Sequence, residues 1–551
     1  MKRRDLLLAA GLSPLVPARA FADAPRPPAD PAPPGAAASD TSHLVAVAES
    51  LKPALRETLQ LPLSLVRPVA APSAALRWRM ESEGPVEALA GRVLKKGDAF
   101  TLDFGGHRTG YLSFRLVGVG RGVDAPARLR FTFGEVPTDV AEPLYPYKGG
   151  LSSAWLQDEV VNVDFLPQDV RLPRRYAFRY VKVEVLDTSP NFGVQFKEIR
   201  AHAVTSADAA LPPLPAGVPE DLRRIDEVAA ATLRDCMQTT FEDGPRRDQR
   251  LWTGDLRVQA LTNYATFNNT ALVKRSLYLL AAFPREDGSI PACVFEKPFP
   301  FQGHEYIADY AVLYGVAVLE YVRATGDAAA GRELWPTVKR QLELVGRHVN
   351  ADGLFADPGG VWIFIDWNAA LDRTASMHGV LLYGYRQVLE LARLLGLEAE
   401  AAAYPERIAR MTAAARGAFH DPARQVFVSG PKRQVSMATQ AWLTIAGVPS
   451  KAEAAAALSA ASRMPDVVRA RTPYLNHYVV DALLLCGLRR EALELVRAYW
   501  GGMVAAGADT FWEAYSPEEP LLSPYGDHHI NSFCHAWSCT PSYFIRGRGL
   551  A

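Results

Sequence analysis

Three shortages narrow the reading of this 551-residue chain before any motif is considered. The first is net charge. Lysine plus arginine and aspartate plus glutamate each number 60, so the formal charge is zero. Such a balance lacks the cationic surplus that nucleic acid or an anionic membrane asks of its main partner. The second is cysteine. Only Cys236, Cys293, Cys486, Cys534 and Cys539 occur, with no zinc-ribbon spacing. A chain this long buries a core without disulfides, and the nearness of Cys534 to Cys539 in sequence does not establish a bridge. The third is any apolar run long enough to span a membrane. Several enzyme signatures are missing too: no Gly-x-Ser-x-Gly elbow, no Walker loop, no Gly-x-Gly-x-x-Gly after a strand. Gly118-Val-Gly-Arg-Gly122 comes nearest, but no helix follows it and it reads as a turn.

What is present begins with a targeting signal over residues 1–24. Lys2-Arg3-Arg4 precedes an apolar run, Leu6 to Leu12, and small-residue sites follow at Ala18-Arg-Ala20 and Ala22-Asp-Ala24. The paired arginines point to twin-arginine export, with an ordinary secretory signal as the alternative. The expected product is periplasmic or secreted, with no membrane contact after cleavage. Residues 25–72 read as a Pro- and Ala-rich linker and lead-in, with a short helical piece within Thr41 to Leu59.

From about Ser73 to Val204 short β-rich runs alternate with Gly, Asp and Pro: Thr101–Phe104, Gly110–Val117, Ala127–Phe133, Glu159–Phe165 and Tyr176–Val185. That spacing predicts an antiparallel β-sandwich over residues 73–210. Pro212, Pro213 and Pro215 mark a linker. Residues 218–551 are then almost wholly helical in pattern. Amphipathic runs recur at Asp255–Ala282, Ile307–Ala324, Ala328–His348, Met377–Leu395, Glu398–Phe419, Ala452–Ser462 and Arg490–Trp500. Roughly a dozen such segments suit a toroid of six helical hairpins, the (α/α)6 barrel, with its site where connecting loops converge. The expected fold is multidomain: an N-terminal β-sandwich followed by an all-α (α/α)6 barrel.

One stretch between helical patterns concentrates chemistry. Asp243-Gly-Pro-Arg-Arg-Asp-Gln-Arg-Leu-Trp-Thr-Gly-Asp255 holds three carboxylates, three arginines and a tryptophan. Asp243, Asp248 and Asp255 can turn toward one cleft. Arg247 can grip a carboxylate or a sugar hydroxyl with its planar fork, and Trp252 offers a flat face that stacks on a sugar ring. The plainer alternative is a helix N-terminus with acidic caps. Glu513, in Asp509-Thr-Phe-Trp-Glu-Ala-Tyr515, sits among aromatics. Desolvation there would raise its pKa and suit it to activating water. Asp366 and Trp367 end Ile363-Phe-Ile-Asp-Trp367, which could line a sugar pocket or pack between helices. His535, in Asn531-Ser-Phe-Cys-His-Ala-Trp537, is expected on the last core helix. Asp527-His528-His529 invites a metal reading. Adjacent histidines are expected to point apart, however, and no carboxylate–histidine set at metal spacing surrounds them, so no metal or other cofactor is expected.

In this order the stretches resemble the bacterial α-L-rhamnosidases of glycoside hydrolase family 78. Asp243–Asp255 is similar to that family's central signature, Asp-Cys-Pro-x-Arg-Asp-Glu-Arg-x-x-Trp-x-Gly-Asp, and to a shorter form containing Asp-Gly-x-Lys-Arg-Asp-Arg. Trp512-Glu513 looks like its Trp-Glu, Asp366-Trp367 like its Gly-Asp-Trp, and His535 like its late sugar-binding histidine. Leu102-Asp-Phe-Gly105, Phe133-Gly-Glu135 and Phe178-Arg-Tyr-Val181 are similar to pieces of its sandwich. The resemblance covers about residues 75–546. It implies inverting hydrolysis of terminal α-L-rhamnosyl residues, with Asp248 as general acid and Glu513 as general base. It implies that Asp243 and Asp255 hold ring hydroxyls, and that Arg247, Trp252, Asp366, Trp367 and His535 complete the sugar site.

The chain departs from the family at Gln249, which stands where the longer signature has its acidic glutamate. The acid therefore falls to Asp248, with Glu242 as the next carboxylate. The family's common C-terminal β-sandwich is also expected to be missing. Two other readings stay open. One is a six-hairpin glycosidase for another sugar. The other is a non-catalytic periplasmic carbohydrate-binding protein, which Gln249 favours. The partner in each case is a glycoside or oligosaccharide.

Overall fold

The computed structural model describes residues 41–207 and 210–550, so the expected signal and the stretch up to residue 40 lie outside the described residues. Among the described residues no helix is long and apolar enough to cross a membrane.

Nine strands make one antiparallel sheet: β1 (Arg56–Gln60), β2 (Ser64–Ala70), β3 (Trp78–Pro85), β4 (Ala99–Gly120), β5 (Ala127–Gly134), β6 (Asp158–Val163), β7 (Gln168–Arg171), β8 (Tyr176–Asp187) and β9 (Phe192–Thr205). The order is β1-β9-β4-β8-β5-β6, with β2 and β7 also on β4 and β3 on β2. Thr101–Phe104 and Gly110–Val117, expected as separate strands, are both part of β4. Its register shifts between Asp103 and Arg108 and between Ser113 and Arg115. Such irregularities bend and twist a strand. They let β4 pair with β2 and β8 toward one end and with β7 and β9 toward the other. Alternation then sends Phe100, Leu102, Leu112, Phe114 and Leu116 into a core shared with Phe131, Phe133, Phe178 and Phe196.

Strand structure begins ahead of residue 73. The lead-in is helical only over Ser42–Ser50 (α1), because Pro53 follows and the chain then extends into β1. β1 is almost wholly exposed, so no apolar alternation marked it. Between β5 and β6 lies a short helix, α2 (Pro137–Ala141).

The rest is helical: α3 (Glu220–Cys236), α4 (Thr253–Ala265), α5 (Thr270–Ala282), α6 (Ala308–Thr325), α7 (Ala328–Gly346), α8 (Thr374–Leu395), α9 (Tyr404–Phe419), α10 (Met437–Ile445), α11 (Lys451–Arg463), α12 (Pro473–Cys486) and α13 (Arg489–Ala505). The single run expected over Asp255–Ala282 is α4 plus α5. Asn268 turns left-handed at φ 51°, and Asn269 caps α5 by accepting from the Leu272 N–H at 3.0 Å. α4 packs on α6, α6 on α8, α8 on α10 and α10 on α12; short turns at 536–538 and 543–547 pack back on α4. α4 and α6 are buried nearly all round, whereas α7, α11 and α13 bury one face. The helices thus form an inner and an outer layer. The loops between them and the segment after α13 carry every residue singled out for chemistry except Asp255, in the first turn of α4.

Candidate functional site

The loop ahead of α4 is built around one carboxylate. Asp243 accepts the backbone N–H groups of Asp248, at 3.1 Å, and Arg250, at 3.2 Å. Its own N–H donates to the Arg250 carbonyl at 3.0 Å, closing the loop. Gly244 permits this closure. A Cβ there would sit 2.6 Å from the Ser532 hydroxyl and 2.7 Å from the Arg247 carbonyl oxygen. Burial first, then the neighbouring charge of Asp248, pushes the Asp243 carboxyl up to about 7.

Arg247 is the hub. Its Nε donates to the Ile530 carbonyl at 2.6 Å, and one terminal nitrogen donates to Glu513 Oε2. The other lies 3.7 Å from Asp248 Oδ1. Tyr525 completes the group: its ring lies 4.3 Å from the guanidinium carbon, and its hydroxyl donates to Glu513 Oε1 at 2.5 Å. The upward shift expected for Glu513 does not hold. Burial does push it up, but Arg247, His535 and Tyr525 outweigh burial and hold the carboxyl below its ordinary value.

Asp255 faces His535, with Oδ2 at 3.3 Å from Nε2. Burial raises the Asp255 pKa, and carboxylate neighbours raise that of His535 against burial. His535, expected on the last core helix, lies instead in extended backbone just before the turn at 536–538. Its N–H donates to the Phe511 carbonyl at 2.9 Å, which ties the His535 segment to the Glu513 segment. Trp252 ends the two-residue strand before α4 and packs partly against the helical core. Trp367 lies edge-on to Tyr525, ring centroids 5.9 Å apart, and near Phe364 at 5.1 Å. Three buried polar atoms here have no hydrogen-bond partner among the described residues: Trp252 Nε1, Trp367 Nε1 and His535 Nδ1. Buried polar groups ordinarily find partners, so this cluster suits a ligand rich in hydroxyls.

Asp366 behaves differently from the expected sugar contact. Its oxygens accept from the Arg471 N–H at 2.9 Å, the Thr472 N–H at 3.0 Å and the Thr472 hydroxyl at 2.6 Å. It anchors the start of α12 and places Trp367. Glu242 is also committed. Both its oxygens accept from Arg175 of the sheet half, at 2.9 and 2.7 Å, so it is no reserve acid. Gln249 turns back to donate to the Pro245 carbonyl at 2.8 Å. It lines a cavity of about 280 Å³ with Trp155, Arg174, Arg175 and Lys297.

The sheet holds this site from behind. Arg246 forks onto Asp139 of α2 at 2.9 and 3.1 Å, and Glu135 accepts the Phe533 N–H at 2.7 Å. His528 and His529 do not point apart: their ring centroids are 4.2 Å apart and both approach Glu142, which follows α2. Tyr525 and the Arg247–Glu513 pair had no signal in the sequence. They depend on segments hundreds of residues apart.

Two family models match this chain. One, described as the glycosyl hydrolase family 78 alpha-rhamnosidase N-terminal domain, matches residues 62–203. The other, the bacterial alpha-L-rhamnosidase 6 hairpin glycosidase domain, matches residues 219–547. Among solved structures the chain is similar to a rhamnosidase from Klebsiella oxytoca with rhamnose bound. Identity is 44%, the TM-score is 0.90, and the match covers 92% of this chain and 99% of that one. A family 78 rhamnosidase of Bacillus sp. GL1 shares the fold at 23% identity and TM-score 0.70, over 85% of this chain and 49% of that one. A Streptomyces avermitilis alpha-L-rhamnosidase complexed with L-rhamnose does so at 17% and 0.66, over 90% and 44%. No curated protein sequence matches.

Proposed function

Because the chain belongs to the α-L-rhamnosidases of glycoside hydrolase family 78, we propose that it hydrolyses terminal α-L-rhamnosides with inversion, Asp248 acting as general acid and Glu513 as general base. The observation that carries this reading is the single guanidinium of Arg247 between those two carboxylates. Inversion needs one carboxyl to protonate the departing oxygen and another, ~6.5–9.5 Å away, to activate water on the opposite face. A guanidinium between them keeps the two apart and balances their charge.

The environment of Glu513 suits a base. Glu513 is held below its ordinary pKa, so it stays ionised and able to take a proton from water. Asp248 lies 3.7 Å from the Arg247 guanidinium and beside Asp243, whose carboxyl is pushed up to about 7 by burial and by the Asp248 charge. His535, Trp252 and Trp367 offer their unpaired polar atoms and ring faces to the sugar, with Asp255 paired behind His535. The packing order of α4, α6, α8, α10 and α12, closed by the last turns, supports an (α/α)6 barrel with this site at one mouth. Gln249 weighs little toward a non-catalytic binder, since its side-chain amide is turned back onto the Pro245 carbonyl.

A panel of nitrophenyl glycosides tests the reading. Turnover of the α-L-rhamnoside well above the fucoside and glucoside is expected; preference for either of the latter overturns it. Export by the twin-arginine route goes with this reading. Replacing Arg3 and Arg4 by lysine should trap the precursor in the cytoplasm, and unchanged export would mean the ordinary secretory route.

A further inference from the structure

Glu142 and His528 form an ordinary pair, with Oε2 2.9 Å from the imidazole Nε2. His529 does not fit that account. Its side chain is 9% exposed, and its Nε2 has no hydrogen-bond partner yet lies 4.0 Å from the same carboxylate oxygen. We propose that Glu142, His528 and His529 bind one zinc-class divalent cation, at the seam between the sheet and the loop that holds Arg247 and Tyr525.

The donor set has the right chemistry. Two imidazole nitrogens and one carboxylate favour zinc over calcium or magnesium, which prefer oxygen. The three donor atoms lie within 4.8 Å of one another. A tetrahedral zinc with bonds near 2.0–2.2 Å sets its donors about 3.3 Å apart, so movements of under ~1 Å complete the site. The supporting contacts are in place. Asp527 Oδ1 sits 2.9 Å from His529 Nδ1, which fixes the proton there and leaves the Nε2 lone pair for the metal. The Trp78 indole N–H donates to Glu142 Oε1 at 2.8 Å and aims the other oxygen at the histidines. Glu142 and His528 are each 22% exposed, which leaves solvent for a fourth ligand.

The cation would act on the catalytic group through the backbone. The His529 carbonyl accepts from Arg246 at 2.7 Å and the Ile530 carbonyl from Arg247 at 2.6 Å. The Tyr525 carbonyl accepts from the Gly150 N–H at 2.8 Å. Holding residues 528–529 to Glu142 therefore restrains the groups that position Glu513. This role is structural and takes no part in glycoside hydrolysis.

The full chain, stripped with a chelator and reloaded with Zn²⁺ or Co²⁺, tests it. Calorimetry should give one ion per chain, Co²⁺ should give the visible absorption of a tetrahedral complex, and Zn²⁺ should raise the melting temperature. Glu142→Gln keeps an acceptor for Trp78 but presents an amide N–H₂ to the histidines. It should weaken binding at least tenfold, as should His529→Ala, while each metal-free variant melts near metal-free wild type. No saturable binding, an octahedral Co²⁺ spectrum, or unchanged affinity in Glu142→Gln would each overturn the site.

Discussion

Arg247 and Glu513 form an ion pair with both side chains buried, 2% and 4% exposed, although they lie 266 positions apart in the chain. Removing one partner of such a pair leaves an uncompensated charge and costs about 3–5 kcal/mol. Arg247→Met should therefore lower stability by that order in denaturant titration. It should also move the acidic limb of the pH–rate profile upward, because Glu513 loses the main charge that holds its pKa down. Tyr525→Phe removes only a hydrogen bond, so the limb should move in the same direction by less. A limb that stays in place in both variants would mean that Glu513 is not the base.

Asp248 and Glu513 should separate by leaving group. An acid matters most when the departing oxygen is poor, and a positioned acid or base contributes typically ~10²–10⁴-fold. Asp248→Asn should cut hydrolysis of natural rhamnosides by about that factor and spare an activated aryl rhamnoside. Glu513→Gln should damage both alike, with rescue by azide. Wild-type rates on natural substrate for Asp248→Asn would remove it as the acid. Glu242 would not inherit the role, since Arg175 occupies both its oxygens.

Asp366 and Trp367 are neighbours with different expected outcomes. Asp366→Ala strips three buried donors of their acceptor and should lower the melting temperature sharply. Trp367→Ala should weaken rhamnose binding in calorimetry with a smaller loss of stability than Asp366→Ala, whereas His535→Ala should weaken binding and also cost stability, because it leaves buried Asp255 unpaired. The reverse pattern would make Asp366 the sugar contact.

Asp243 links the site to stability. Its folded pKa, about 7, lies above the unfolded carboxylate value, so between those values the folded state binds more protons. Its contribution therefore falls as pH rises from about 4 to about 7 and is flat on either side. Asp243→Asn should remove that fall, so its stability relative to wild type should improve between pH 4 and pH 7. A constant difference across that window would mean that Asp243 ionises normally.

The sequence carried the local parts of this picture. The strands at Ala127–Gly134 and Tyr176–Asp187 alternate, and α7 and α8 show helical periods, so their places were legible. The carboxylates of Asp243–Asp255 were legible because they fall within thirteen consecutive residues. Pairings between distant segments were not. The sign of the Glu513 shift depends on Arg247 and Tyr525, and the direction of His529 depends on Glu142 across the seam. The hold of Asp366 on the start of α12 was not legible, because an aspartate beside a tryptophan looks the same whether it meets a sugar or a helix start.

Proton NMR of a natural α-L-rhamnoside digested in the tube tests the central claim most directly, since it reports the released sugar and its first-formed anomer together. With Asp248 as acid and Glu513 activating water on the opposite face, rhamnose should appear first as the β-anomer and then mutarotate. Rhamnose appearing first as the α-anomer, or no rhamnose at all, would contradict it.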